Sequence, residues 1–170
     1  ALEYLLQCLE LRKSLPDKME LAIAFLNLGA TYARIPNSEK TTHYNEQAIP
    51  ILEQTGALLP LWMSQLGLGN AYSGLKQDAK ARDAWEAAIA TIEELRWRSI
   101  GAGQMPSQHE DMICPYAGIV DLLNGQGKPA EALTYAERAR TRALLDILQN
   151  GKIDIARSMS PAEREREKNF

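Results

Sequence analysis

Apolar residues recur at helical intervals along most of the chain, in segments of similar length separated by proline, glycine and asparagine. Leu2, Leu5, Leu6, Leu9 and Leu15 form one stripe along residues 1–15. Pro16-Asp17 interrupts it, and Leu21, Phe25, Leu28 and Tyr32 predict a second helix over 18–35 that stops at Pro36-Asn37. Ser38 has the chemistry of an N-cap for a third helix carrying Tyr44, Ala48, Ile49 and Leu52, and Pro50 in its interior predicts a kink. Pro60 suits the first turn of a fourth helix reaching residue 75, and Gly74 with the polar run 76–78 makes the following turn. The most regular stripe, Ala81, Ala84, Trp85, Ala88, Ile89 and Ile92, predicts a helix over 78–98.

Residues 99–107 have no periodicity and read as an inserted loop. Ser107 and Glu110 have capping-box spacing, so helix is expected to resume at 107 and to bend at Pro115. A turn at 125–129 follows, and Pro129 starts a helix over 129–149 that Asn150-Gly151 ends. Residues 160–170 repeat the cap chemistry ahead of a highly charged terminal helix with no apolar stripe.

The segments repeat at a fixed interval. Leu28-Gly29-Ala30-Thr31-Tyr32 returns forty residues later as Leu68-Gly69-Asn70-Ala71-Tyr72, Ala48-Ile49 returns as Ala88-Ile89, and Cys8-Leu9 lies forty residues upstream in the same frame. A period of this size marks stacked helical units, each unable to bury its apolar face alone. From Ala81 to Ala132 the interval lengthens to fifty-one, which is where the inserted loop falls. The pattern opens inside a repeat at Ala1, as expected of a piece of a longer protein.

Composition narrows the classes without naming one. The chain has 170 residues, 45% hydrophobic and 24% charged, with 6% aromatic, which suits one helical domain. A net charge of −3 disfavours a nucleic-acid or membrane partner. Cys8 and Cys114 are too few and too far apart for a disulfide framework or a zinc ligand set, so a reducing, cytoplasmic setting is expected. No apolar run approaches a membrane span.

Leu68-Gly69 with Tyr72, followed by Ala81, Trp85 and Ala88, resembles the tetratricopeptide repeat, with Leu-Gly and Tyr in the first helix and two small residues flanking an aromatic in the second. Ala132 and Ala139 repeat the small pair, Thr41 and Asn45 depart from the pattern, and Val120 replaces the glycine in the last unit. The resemblance covers residues 1–150. It implies an all-α, right-handed superhelical stack of antiparallel hairpins: a half repeat at 1–15, hairpins at about 18–56, 60–98 and 107–149, then a linker and charged helix at 151–170. Gly29, Tyr32, Ala48, Gly69, Tyr72, Ala81, Trp85, Ala88, Ala132 and Ala139 would be its packing residues. Gly69 is expected to face Ala81 or Ala88, letting the helices close toward the short end of ~8–10 Å.

By register with the family, Asn27, Arg34, Asn70, Ser73, Asp121 and Asn124 would line a concave groove that takes a protein or peptide ligand. Leu26 stands where the carboxylate-clamp subset has a lysine, which disfavours a chaperone-tail receptor and leaves helix or extended-peptide recognition.

A second resemblance is narrower. Residues 136–148, Ala136-Glu137-Arg138-Ala139-Arg140-Thr141-Arg142-Ala143-Leu144-Leu145-Asp146-Ile147-Leu148, are similar to the last repeat before the caspase-like CHAT protease domain of bacterial tetratricopeptide proteins, and residues 160–167 to the linker helix that follows. The resemblance implies the regulatory or recruiting arm of a larger protease, with a Cys-His hydrolase domain beyond Phe170 held by or adjacent to the repeats. It carries no catalytic residue, cofactor or metal onto this chain, which is then not itself an enzyme.

Other readings compete for single residues. Cys8 or Cys114 with His43 or His109 would be the minimum for a thiol hydrolase, but Cys8 occupies the small-residue position of Ala48 and Ala88, and Cys114 and His109 do not share a helical face. Gly101 and Gly103 lack the lysine and preceding strand of a phosphate loop. Trp62 and Trp85 read as core, whereas Trp97 is expected near the surface, within reach of a partner. Arg138, Arg140 and Arg142 share their helix with Glu131 and Glu137 and read as a solvated, mixed-charge face. Self-association is the remaining alternative, through the unpaired apolar face of the leading half repeat.

Overall fold

The computed structural model describes residues 2–102 and 111–150, with side chains at 2–98 and 112–145. Among these residues the chain is all helical, with α1 (Leu2–Lys13), α2 (Lys18–Arg34), α3 (Ser38–Thr55), α4 (Leu58–Gly74), α5 (Asp78–Ala102), a 3-10 turn (Asp111–Ile113), α6 (Cys114–Gly125) and α7 (Pro129–Asn150). The expected cap pair Ser107 and Glu110, His109 and the terminal helix over 160–170 lie outside the described residues.

Local chemistry explains most boundaries. Asp17 caps α2, its carboxylate accepting from Met19 N at 2.9 Å and Glu20 N at 3.2 Å. Asn37, rather than the expected Ser38, caps α3 by accepting from Lys40 N at 3.0 Å. Asn and Ser cap about equally well, and the chain turns one residue earlier. α3 runs unbroken through Pro50, which lies on its exposed side.

Two expected boundaries move. α5 continues to Ala102 rather than ending at 98, because a lone glycine such as Gly101 costs only ~1 kcal/mol and propagation of a formed helix is easy. Helix does not run through a bend at Pro115. That residue lies in the first turn of α6, after the 3-10 turn, where its missing N–H and fixed φ are tolerated.

The turns joining α2 to α3, α4 to α5 and α6 to α7 share one hydrogen bond, which the α3–α4 turn also makes from Ala57 N to Leu52 O at 3.1 Å. The carbonyls of Tyr32, Tyr72 and Leu123 each accept from the amide five residues on, at Asn37 (3.0 Å), Gln77 (2.9 Å) and Lys128 (2.9 Å). Each helix packs along the next in sequence, and α2 packs directly on α4, and α4 on α6. The even-numbered helices therefore form a continuous layer.

Two main cores hold this arrangement together. Leu9, Phe25, Leu28, Leu52 and Leu58 join α1 to α4, and Trp85, Ile89, Tyr116, Ile119 and Leu123 join α5, α6 and α7. Trp62, Ile92 and Met112 make a third, smaller cluster. Gly29, Tyr32, Ala48, Gly69, Tyr72, Ala81, Trp85, Ala88 and Ala132 are buried, and Ala139 is half-buried.

The glycine contacts differ from the expected ones. Gly69 faces the indole of Trp85 rather than Ala81 or Ala88: a Cβ there would stand 2.5 Å from Trp85 Nε1. Gly118 closes on the same ring from α6, where a Cβ would stand 2.6 Å from Trp85 Cε2. One repeat earlier Asn45 is flanked in the same way by Gly29 and Gly67, at 2.7 and 3.1 Å. The aromatic position of each of the first two hairpins is thus pinched between a glycine of its own first helix and a glycine of the next. In the last unit Ala136 stands where Trp85 would be and Val120 where Gly69 would be, so bulk and space change sides.

Candidate functional site

The six residues assigned to the groove sit in the even-helix layer: Asn27 and Arg34 on α2, Asn70 and Ser73 on α4, Asp121 and Asn124 on α6. Five are exposed and Ser73 is half-buried. Layer packing places their helices side by side, but among the described residues no hydrogen bond or ion pair joins one of the six to another. Asn70 also has a structural role, since its Oδ1 accepts from Trp85 Nε1 at 3.0 Å.

Clefts also lie along the odd-numbered helices. One cleft of about 300 Å³ lies between α3 and α5 over a floor from α4, with Ile49, Glu53, Gln65, Tyr72 and Ala87 among its walls. A second, of about 270 Å³, lies between α5 and α7, lined by Glu86, Ile89, Glu93, Tyr135 and Arg138. A wider hollow of about 690 Å³ follows the outer face of α7, where Leu133 and Leu145 alternate with Arg138 and Arg142.

A polar network spans the second cleft. Tyr135 donates its hydroxyl to Glu86 at 2.7 Å, Arg82 Nε reaches the same carboxylate at 2.9 Å, and Arg82 also approaches Glu131 at 3.5 Å. Glu93 receives Tyr116 at 3.0 Å and Arg142 at 2.6 Å. The Arg138 guanidinium lies 5.4 Å from the Tyr135 ring centre and 5.7 Å from that of Tyr116, within cation–π range. These contacts tie Arg138 and Arg142 across the cleft on a face where Arg138 is exposed and Arg142 half-buried. Arg140 does stay exposed, 3.8 Å from Glu137.

The proton affinities follow from these contacts. The hydrogen bond from Tyr135, followed by that from Arg82, holds the Glu86 carboxyl below its usual range. Burial, with the charge of Glu93 next, pushes Tyr116 up to about 12, and burial together with the Glu46 hydrogen bond does the same to Tyr72. Tyr135 is raised by burial and by Glu86. Such a network holds helices in register.

The other candidates fall apart in space or into the core. Cys8 is a half-buried thiol on α1, Cys114 an exposed one at the start of α6, and His43 an exposed side chain lying edge-on to Tyr44. No thiol and imidazole pair among the described residues. Trp62 is buried, whereas Trp97 is 78% exposed toward the end of α5. Among the described residues no three His, Cys, Asp or Glu side chains are grouped to hold a metal ion, and no helix is long and apolar enough to cross a membrane.

The odd-helix clefts escaped the reading of the sequence, although a signal was there: Glu46 and Glu53 recur as Glu86 and Glu93 at the same forty-residue interval as the packing residues. No family model, curated protein or solved structure matches the chain.

Proposed function

We propose that this chain is a protein-binding scaffold of tetratricopeptide type, a right-handed superhelical stack in which the even helices line the concave side. The observation that carries the reading is the recurrence of one turn, with its five-residue hydrogen bond at Tyr32, Tyr72 and Leu123, inside three successive hairpins whose first helices pack directly on one another. Close packing in one layer and long polar bridges across the other favour a curved stack, and curved stacks present extended binding surfaces. The similarity of residues 136–148 to the repeat preceding CHAT domains makes a regulatory or recruiting arm of a cytoplasmic protease the specific form of this proposal.

Selection of displayed peptides on the purified protein tests it. Arg34→Ala, Ser73→Ala and Asp121→Ala together should release the selected peptides without lowering the melting temperature; undiminished capture argues against the groove. Asn70 is left intact in that variant because Trp85 depends on it.

Self-association is the second reading, favoured by Tyr4 and Leu11, which stand exposed on α1. Light scattering over a concentration series distinguishes it, since a monomer at all concentrations removes it.

A further inference from the structure

The two interhelical clefts share a template and differ in what fills them. On one wall Glu46, Ile49 and Glu53 of α3 correspond at forty residues to Glu86, Ile89 and Glu93 of α5. On the facing wall the register that aligns Ala81 with Ala132 sets Ala84, Ala87 and Thr91 of α5 against Tyr135, Arg138 and Arg142 of α7. In the second cleft those longer side chains satisfy the acids: Tyr135 bonds Glu86, and Arg142 pairs with Glu93. In the first, a cleft of about 300 Å³ against about 270 Å³ in the second, Ala84 and Ala87 bring no such group to the acids.

Its acids are correspondingly short of partners. Among the described residues Glu46 receives only the Tyr72 hydroxyl, and Lys80 is turned over the Tyr72 ring, 5.2 Å from its centre. The carboxylates of Glu53 and Asp83, which line the cleft, make no hydrogen bond or ion pair among the described residues, so two lining acids stand beside one ammonium group, that of Lys80. Gln65, at 7% exposure, lines the floor. Its Oε1 accepts from Thr91 at 2.8 Å, while its amide nitrogen has no partner among the described residues.

We infer that the cleft between α3 and α5 binds an arginine-bearing segment of a partner polypeptide, its guanidinium against Glu53 and Asp83 and a main-chain carbonyl on the Gln65 amide. The molecule itself supplies the precedent, because one repeat later the equivalent acid, Glu93, is met by an arginine of the next odd helix. Guanidinium suits the position through its forked donors and weak hydration. A second copy of the chain is disfavoured as the occupant, since its Arg142 is already engaged with its own Glu93. The inference concerns the odd-helix face and stands independently of recognition by the even-helix groove.

The probe is a fluorescent peptide with tyrosine and two arginines at the spacing of Tyr135, Arg138 and Arg142, beside a control with glutamine at both arginine positions. Anisotropy titrations should show the arginine peptide binding about tenfold more tightly, with affinity falling as salt is raised. Glu53→Gln with Asp83→Asn, both at exposed positions, should weaken binding about fivefold without shifting the melting temperature. Ala87→Arg, which restores from within the side chain found at Arg138, should abolish it. Equal affinity for the two peptides, or unchanged binding by the Glu53/Asp83 variant, overturns the inference. So does dimerisation of the wild type that Ala87→Arg abolishes, because the occupant is then a second copy.

Discussion

Asn70 Oδ1 accepts a hydrogen bond from Trp85 Nε1 at 3.0 Å, and the indole so anchored is clasped by Gly69 on one side and Gly118 on the other. Asn70→Ala leaves that N–H without a partner in a residue only 4% exposed, and should cost about 1–3 kcal/mol. Gly118→Ala overfills the same contact at a similar cost of about 1–3 kcal/mol. Gly125→Ala is the control, since a Cβ there meets nothing within 4 Å. Denaturant titration separates them: if Gly118→Ala unfolds no earlier than Gly125→Ala, the clasp does not carry load.

Where the sequence was readable and where it was not has a physical explanation here. Helix positions follow from periodicity and from breakers such as Pro16 and Gly127, because these act within a few residues. The partner of Gly69 does not follow from the pattern: small residues at Ala81 and Ala88 permit close approach, yet the ring of Trp85 takes up the space. Pro115 was ambiguous, because a proline begins a helix as readily as it bends one, and the 3-10 turn before it decides. The clefts depend on the difference between Ala87 and Arg138, residues brought to equivalent places only by stacking across an irregular interval.

Asn45 occupies the place of Trp85 one repeat earlier, with Nδ2 donating to Thr41 O at 2.8 Å and Oδ1 buried without a partner among the described residues. Asn45→Leu has nearly the same shape and removes a desolvated acceptor, while Thr41 O keeps its helical hydrogen bond. Stability should rise by about 1–2 kcal/mol. A lower melting temperature would instead mean that the contacts of Gly29 and Gly67 require the smaller amide.

Tyr72 and Tyr116 are both raised from 10.0 to about 12. A raised folded-state value means the native protein keeps protons that the unfolded chain releases, so this stabilisation is complete below pH 10.0 and is lost as pH rises toward about 12. Melting temperature should fall across that window. Tyr72→Phe with Tyr116→Phe should flatten the fall, since phenylalanine has no proton to lose. An equally steep decline in the double variant would show that other groups control the alkaline transition.

Lys76 and Gly127 are equivalent residues of the second and third recurrent turns, and both have positive φ, 59° and 71°. Pro36 stands at the same place in the first, where the ring forbids that conformation. A lysine in the left-handed region carries a steric cost of about 1–2 kcal/mol that glycine avoids. Glycine's looser unfolded chain offsets part of the gain. Lys76→Gly should therefore stabilise by about 0.5–1 kcal/mol, and Gly127→Ala should destabilise by about 1 kcal/mol. Neither side chain is buried, so packing cannot mask the backbone effect. Thermal unfolding of the two variants should move in opposite directions; a shift of the same sign in both would show that the turns are not backbone-equivalent.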